Sequence, residues 1–450
     1  MARHHMSAVD SAWLRMDTPG NLLVINSVMW MSGECDFAAL RATIQERITD
    51  RFPRFKQFPR RPGNPLGRAE WVDDEDFDPD RHYRMVTLPA PGDQAALEAY
   101  VSSQVGLPLA PDQPPWEVHL IDGFADGAAV MFRIHHAVAD GISLMRVTLS
   151  LTDEGPAKEE LFAPDHDPGS TQAMVQATTA LLGQGLGLVR HPSRVGSLVN
   201  GALHDAARLV HLTLLPPQKR SVLSGAVQER KLVTWTPPIS LAEVKAVGRA
   251  TDTTVNDVLL AALAGAFSSY LDERGTPLDV LRVMVPVNLR PLDAPLPSEL
   301  GNEFGFYFVD LPTAPMAPHE RLAEMHRHTE EIKGSPEAVV AFGVLAGLGA
   351  MPQPVEELGV AFFGSKAAGV VTNVPGPTET VRLAGAPVAG MVAWVPRAGD
   401  MGFGVAISSY AGSVFVGFST DAELIPDPER LQHLMVEQVQ TLLALAPAAR

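Results

Sequence analysis

The segment His135-His136-Ala-Val-Ala-Asp140-Gly141 is where this sequence could do chemistry. An imidazole with an ordinary pKa near 6.5 accepts a proton from an alcohol at neutral pH, provided it is held neutral and in one tautomer. A carboxylate four residues later, at Asp140, can shape the turn that fixes the ring, through backbone hydrogen bonds or by pairing with a distant cation. Gly141 permits a sharp change of direction or a close backbone approach. A metal site would need a further ligand, and His119 is the one other histidine nearby, without a His/Cys/Asp cluster around it. A purely structural histidine pair is the reading that suits His4-His5, which has Val9 rather than Asp four residues on.

The elements around the motif follow from patterning. Ala128 to Ile134 is a short apolar run, broken by Arg133, that reads as a buried strand, and Gly141 to Leu151 reads as a helix. Leu22 to Met31 reads as a strand, and Asp93 can cap a helix carrying Leu97, Val101 and Val105 on one face. Ser240-Leu-Ala-Glu243 and Thr254-Val-Asn-Asp257 have capping-box spacing, which gives Asp257 a structural job. Strands are expected over 280–288, 305–311, 369–373, 401–409 and 413–420, and a closing helix after Pro426 and Pro428. Strands and helices alternate in both halves, so the fold class is α/β. The divisions expected are an N-terminal lobe over 1–155, a crossover segment over 156–227 and a C-terminal lobe over 228–450, because composition turns polar and Pro/Gly-rich near Asp153.

At 450 residues the chain needs two lobes, each with its own interior. With 46% hydrophobic and 19% charged residues it is globular, and a net charge of −17 argues against nucleic acid as a partner. Cys35 is the only cysteine, which excludes an internal disulfide and leaves it as a small buried or half-buried residue. The segment 171–220 stands apart. It holds Arg190, Arg194, Arg208, Lys219 and Arg220 against Asp205 alone, with an apolar stripe at helical spacing from Val195 to Val210. Such a helix can lie on an anionic bilayer or pack across two lobes, and the sequence leaves both open. The fourteen uncharged residues 338–351 are too few for a membrane span and fit a core helix or an interfacial segment. No signal-peptide core follows Met1, so a cytoplasmic protein with peripheral membrane contact is expected.

The motif HHAVADG resembles the HHxxxDG signature of the bacterial wax ester synthase/acyl-CoA:diacylglycerol acyltransferases, within the chloramphenicol acetyltransferase-like superfamily. The similarity runs nearly end to end, through Met6–Trp13, Thr18-Pro-Gly-Asn21, Arg51–Gln57, Pro115–Gly123, Thr254–Asp257, Pro286–Arg290, Gly301-Asn302 and Thr372–Pro377. One departure is Pro114-Pro115-Trp116, where many relatives have Pro-Leu-Trp; Trp116 itself fits a core anchor. The resemblance implies two chloramphenicol-acetyltransferase-like lobes of mixed sheets flanked by helices, with an active-site tunnel between them. It implies that His136 is the general base, that His135 supports it, and that Asp140 orients the motif by pairing with an arginine, for which Arg290 is the candidate. Asn256, Asn302 and Asn373 sit in matching motifs and are expected, with Arg290, to contact substrate; Gly301 and Gly376 serve turns.

The expected reaction is direct transfer from acyl-CoA, a substrate rather than a cofactor, to diacylglycerol or a long-chain alcohol, at a membrane or lipid-droplet surface. No Gly-x-Ser-x-Gly elbow is present, so no acyl-enzyme is expected. Gly183-Gln-Gly-Leu-Gly187 is not a dinucleotide fingerprint, and no other cofactor or metal is implied. Carrier-protein-dependent acyl transfer or condensation, and a non-catalytic lipid-droplet protein, are the alternatives. The first lacks a fused carrier region; the second leaves an intact HHxxxDG without a use.

Overall fold

A computed structural model describes residues 3–61, 63, 69–155, 214–289, 299–333 and 337–445. The amphipathic stripe at 195–210, the glycines 183–187 and Arg290 therefore lie outside the described residues.

Two mixed sheets organise the molecule. The first has six strands in the order Arg382–Leu383, Ala386–Trp394, Val24–Met31, Gly127–His135, Trp116–Phe124 and Tyr83–Thr87. All neighbours are antiparallel except the last pair. Strand Gly127–His135 is buried along almost its whole length because it lies inside the sheet, with partners on both sides. The helix Gln94–Val105, capped by Asp93 through Ala96 N at 2.9 Å, buries Leu97, Val101 and Val105 in the core of this lobe.

The second sheet runs Phe304–Pro312, Val280–Asn288, Gly369–Pro375, Phe403–Tyr410, Ser413–Asp421 and Lys231–Trp235, with Ile239–Ser240 also paired to Ser413–Asp421. Its core is built around the helix Val255–Glu273, which buries Leu259, Leu263, Phe267 and Leu271 against the closing helix Pro428–Leu443. Thr254 and Asp257 form the expected capping box, and Asp257 also accepts from Thr329 Oγ1 and bonds His326, which accounts for this carboxylate structurally. The segment from Glu337 to Gly349 is a buried core helix, so the interfacial reading of 338–351 does not hold for it. Among the described residues no single helix is long and apolar enough to cross a membrane.

The sheets do not follow the division of the sequence at residue 228. Residues 382–394 come from the second half, yet pair with Val24–Met31 in the first sheet. The physical reason is that Val24–Met31 has one neighbour in its own half, Gly127–His135, and needs a second to satisfy its other edge. The crossing strand also brings aromatic rings together. Trp30 stacks on Trp235 at 5.7 Å and meets Phe415 edge-on at 5.3 Å, while Trp235 meets Trp394 at 5.8 Å. Gly390 makes this possible, since a Cβ there would lie 2.2 Å from the Trp30 ring. Glu98 adds a polar tie, accepting from Thr234 Oγ1 at 2.9 Å and Trp235 N at 3.2 Å.

Candidate active site

The strand Gly127–His135 delivers the histidine pair. Arg133, which breaks its apolar run, lies opposite Glu117 and donates to it at 2.9 Å; Glu117 also bonds His119 at 3.2 Å. The charge is thus paired inside the sheet, and its arginines and the His119 bond hold the Glu117 carboxyl down at about 2. His119 belongs to this network, with Tyr100 on its other nitrogen, and among the described residues no group of three or more His, Cys, Asp or Glu side chains is placed to hold a metal.

Past the strand end, His136 N donates to Leu23 O at 2.7 Å and Val138 N to His135 O at 3.0 Å, closing a tight turn. Asp140 then caps the helix Gly141–Leu149 by accepting from Ser143 N at 2.8 Å. Its second oxygen accepts from Glu303 N at 3.2 Å, so one carboxylate ties the turn of the first lobe to the backbone of the second. Gly141 differs from expectation. A Cβ there would meet nothing within 4 Å and its φ is not positive, so neither a sharp turn nor a close approach requires glycine; it leaves the cavity wall bare.

His136 is buried in a cluster of aromatic rings, with Trp13 stacked on it at 4.4 Å and 16° and Phe304 tilted against it at 5.3 Å. Its Nδ1 lies 2.8 Å from Asn302 Oδ1. The amide orientation of Asn302 is fixed by its other end, because Nδ2 donates to Asp10 Oδ1 and to the His136 carbonyl, both at 2.8 Å. With Nδ2 committed to two acceptors, Oδ1 must accept, so Nδ1 carries the proton and Nε2 carries the lone pair. Burial pushes the His136 pKa down to about 4 against the opposing charge of Asp140, so the ring is neutral at pH 7. A neutral imidazole with its free nitrogen at a cavity is equipped to take a proton.

His135 takes the opposite arrangement. Its Nδ1 accepts from Ala137 N at 3.0 Å, which puts the proton on Nε2, 3.7 Å from Asp17 Oδ1 and away from the cavity. Asn302, expected on the tunnel wall, is instead behind His136 and is not among the lining residues. Asp10 and Trp13 were not singled out as site residues, although both fall within the opening motif. The available signal was an aspartate three and four residues before Trp13 and Leu14, on their side of the helix: the helix Ala8–Met16, capped by Ser7, buries Asp10 at 3% exposure. Burial raises the pKa of that carboxyl despite its hydrogen bonds from Asn302.

His136 opens on a cavity of about 480 Å³ walled by both lobes. Ile25, Met29 and Phe132 of the first sheet face Val285, Val287 and Ala406 of the second, and the crossing strand contributes Met391 to Trp394. The wall is mainly apolar, with Asn256 and Asn373 among its few amides, joined through Asn373 Nδ2 and Asn256 Oδ1 at 3.3 Å. Gly376 also lines it and packs its backbone on Ser409, where a Cβ would lie 2.3 Å from the carbonyl oxygen. Gly301 has only Asp10 within 4 Å of such a Cβ. Cys35 is not on this wall, and burial pushes its thiol up to about 11.

Residues 6–259 match the model of the wax ester synthase/diacylglycerol acyltransferase catalytic domain, and residues 300–442 match that of the WS/DGAT C-terminal domain. A Mycobacterium tuberculosis protein named as a probable diacylglycerol O-acyltransferase is 27% identical over 98% of this chain and 96% of its own length. Another protein of that organism, also named for diacylglycerol O-acyltransferase activity, is 30% identical over 84% of each chain. Among solved structures, the wax ester synthase/diacylglycerol acyltransferase from Marinobacter aquaeolei VT8 superposes with a TM-score of 0.69 at 21% identity, over 98% of this chain and 99% of that one. The first condensation domain of the calcium-dependent antibiotic synthetase shares the two-lobed fold, with a TM-score of 0.63 at 18% identity over 100% and 98%.

Proposed function

Given that this chain belongs to the wax ester synthase/diacylglycerol acyltransferase family, we propose that it transfers a fatty acyl group from acyl-CoA to the hydroxyl of diacylglycerol or a long-chain alcohol, with His136 as general base. The observation that carries this reading is the network Asp10–Asn302–His136, which leaves Nε2 unprotonated at a cavity walled by both lobes. Nε2 takes the acceptor's hydroxyl proton as its oxygen attacks the thioester carbonyl. The tetrahedral intermediate collapses, the C–S bond breaks, and the imidazolium returns the proton to the departing CoA thiolate. General-base help of this kind contributes ~10²–10⁴-fold, and the remainder comes from holding two substrates together in a dry cavity.

Direct transfer is supported by the protonated, off-site Cys35 and by the lack of a serine elbow in the sequence. Asn256 and Asn373, on the cavity wall, would contact a substrate carbonyl or hydroxyl. Diacylglycerol as acceptor rests on the names of the mycobacterial relatives; an alcohol giving wax esters is equally compatible with an apolar wall. Both acceptors are sparingly soluble, so the enzyme works as a peripheral protein at a membrane or lipid-droplet surface.

The test is to incubate purified protein with palmitoyl-CoA and either dioleoylglycerol or hexadecanol, following CoA thiol release and ester product beside His136→Ala. Ester formation by the wild type and its loss in the variant is the expected result. A well-folded wild type that makes no ester from either alcohol would refute the assignment and turn attention to a carrier-bound donor.

A further inference from the structure

The helix Gln353–Gly364 is apolar on two sides. Its inner side seats Gly359 against Leu348, buries Glu356 beside Arg15, and packs Phe363 in a cluster that includes Val395 of the cavity wall. The outer side presents Val355, Leu358 and Phe362 at i, i+3 and i+7, with Met351 one turn earlier. All four are exposed, Leu358 by 74%. A helix on a soluble surface is ordinarily polar on that side.

The patch extends beyond the helix. Gln218 N donates to Ser365 O at 2.9 Å, and Lys366 Nζ, 4.2 Å from the Phe362 ring centroid, donates to Leu215 O at 2.5 Å. The chain at 214–218 therefore lies along the C-terminal end of the helix and brings in Leu214, which is 75% exposed. Val280 borders it through Gln218 Nε2. Of the large hydrophobic side chains exposed among the described residues, only Met85 and Leu107 lie elsewhere. Lys219 and Arg220 follow directly, exposed and without an ion pair among the described residues. Glu357 is the acidic residue on the outer side, bonded to Gln353.

We propose that this face docks the protein on an anionic phospholipid surface, the outer side of the helix entering the headgroup boundary and Lys219 and Arg220 meeting the phosphates. The inference rests on the reading of the chain as a lipid-esterifying enzyme and adds the surface by which it reaches its acceptor. An apolar stripe rimmed by cations is what an interfacial helix presents. A body of net charge −17 is repelled by anionic lipid on its other faces, so two unpaired cations beside the stripe set its orientation.

The experiment is vesicle flotation with phosphatidylcholine alone and with phosphatidylglycerol added, comparing wild type, Leu358→Asp/Phe362→Asp and Lys219→Ser/Arg220→Ser. Wild type is expected to float with the phosphatidylglycerol vesicles. The aspartate pair should lower partitioning roughly tenfold or more. The serine pair should lower it about fivefold for each cation removed, with little effect on neutral vesicles. Both variants should turn over palmitoyl-CoA and hexadecanol dispersed in detergent micelles at the wild-type rate. Equal partitioning of all three proteins, or no vesicle binding by wild type, overturns the proposal. So does a wild-type dimer on gel filtration that the aspartate pair dissociates while vesicle affinity is unchanged. Absence of micellar turnover by wild type would instead sink the assigned reaction and leave the vesicle result standing.

Discussion

Replacing Asn302 with leucine tests whether the site works through a selected tautomer. Leucine has the branching and heavy-atom count of asparagine, with bulkier methyl groups, but no acceptor for the Nδ1 proton, now bonded at 2.8 Å. In the variant, the base-competent tautomer keeps a buried N–H without that partner, at a cost of ~1–3 kcal/mol; moving the proton to Nε2, which faces the cavity, relieves it. The competent population then falls by about 5- to 150-fold, since each ~1.4 kcal/mol is a factor of ten. Steady-state kinetics should show that loss in kcat, with KM for acyl-CoA unchanged, against the ~10²–10⁴-fold loss of His136→Ala. Asp10→Asn supplies the same acceptor oxygen to Asn302 Nδ2 and should stay within about threefold of wild type, an effect below ~1 kcal/mol, whereas Asp10→Leu should behave like Asn302→Leu. In the wild type, kcat/KM should fall only as pH drops through about 4, where the base becomes protonated. A leucine variant that keeps more than half the wild-type kcat, or loses only KM, would refute the tautomer lock.

Three further outcomes follow from packing and burial. His82, His119 and His136 all have pKa values lowered by burial, so the unfolded chain takes up protons first as pH falls below ~6.5; the stability they allow is whole above that pH and declines toward the folded values, about 4 for His136. Melting temperature should therefore fall steadily from pH 7 to 4.5, with a shallower slope in His136→Gln, and a flat profile would contradict the burial argument. Arg15 Nε and Glu356 Oε2 are 2.5 Å apart in the interior, and burial holds that carboxyl up at about 7. Urea unfolding should show Arg15→Ala losing more stability at pH 8 than at pH 6, because the carboxyl it leaves behind stays neutral in the fold while the unfolded chain ionises it ever more favourably as pH rises; equal losses at the two pH values would count against it. A Cβ on Gly305 would sit 1.8 Å from Ala338 O, so Gly305→Ala must shift a core helix and should cost ~1–3 kcal/mol with reduced activity, while Gly141→Ala, with open space around it, should melt within a degree or two of wild type.

The motif was legible because its parts are close in sequence: a buried strand, two histidines and an aspartate with cap spacing place His136 at a strand end and Asp140 at a helix start. What the sequence concealed depends on contacts between distant segments. Asn302 looked like a wall residue, since its amide is polar and its motif lies near others in the expected tunnel. Only the placement of Asp10, 292 residues away, shows that both ends of the amide are already committed. Trp13 likewise reads as a core residue until the ring beneath it is identified. The pairing of Ala386–Trp394 with Val24–Met31 joins segments more than 350 residues apart, and nothing in the pattern of either strand specifies the other.

That exchanged strand has a consequence for synthesis on the ribosome. The N-terminal elements, through Leu149, emerge about 245 residues before Trp394. At ~5–20 residues per second this is a delay of roughly 12–50 s, during which the edge of Val24–Met31 waits without its second neighbour. An unpaired edge rich in Val, Ile, Met and Trp is a template for misassembly with other nascent chains. Low temperature, which slows elongation, lengthens that window, and a chaperone able to cover a strand edge should raise the yield of soluble protein more than one that acts after release. A gene split near residue 228 would leave its first product permanently in that incomplete state, so the two halves should recover solubility only when they are made together.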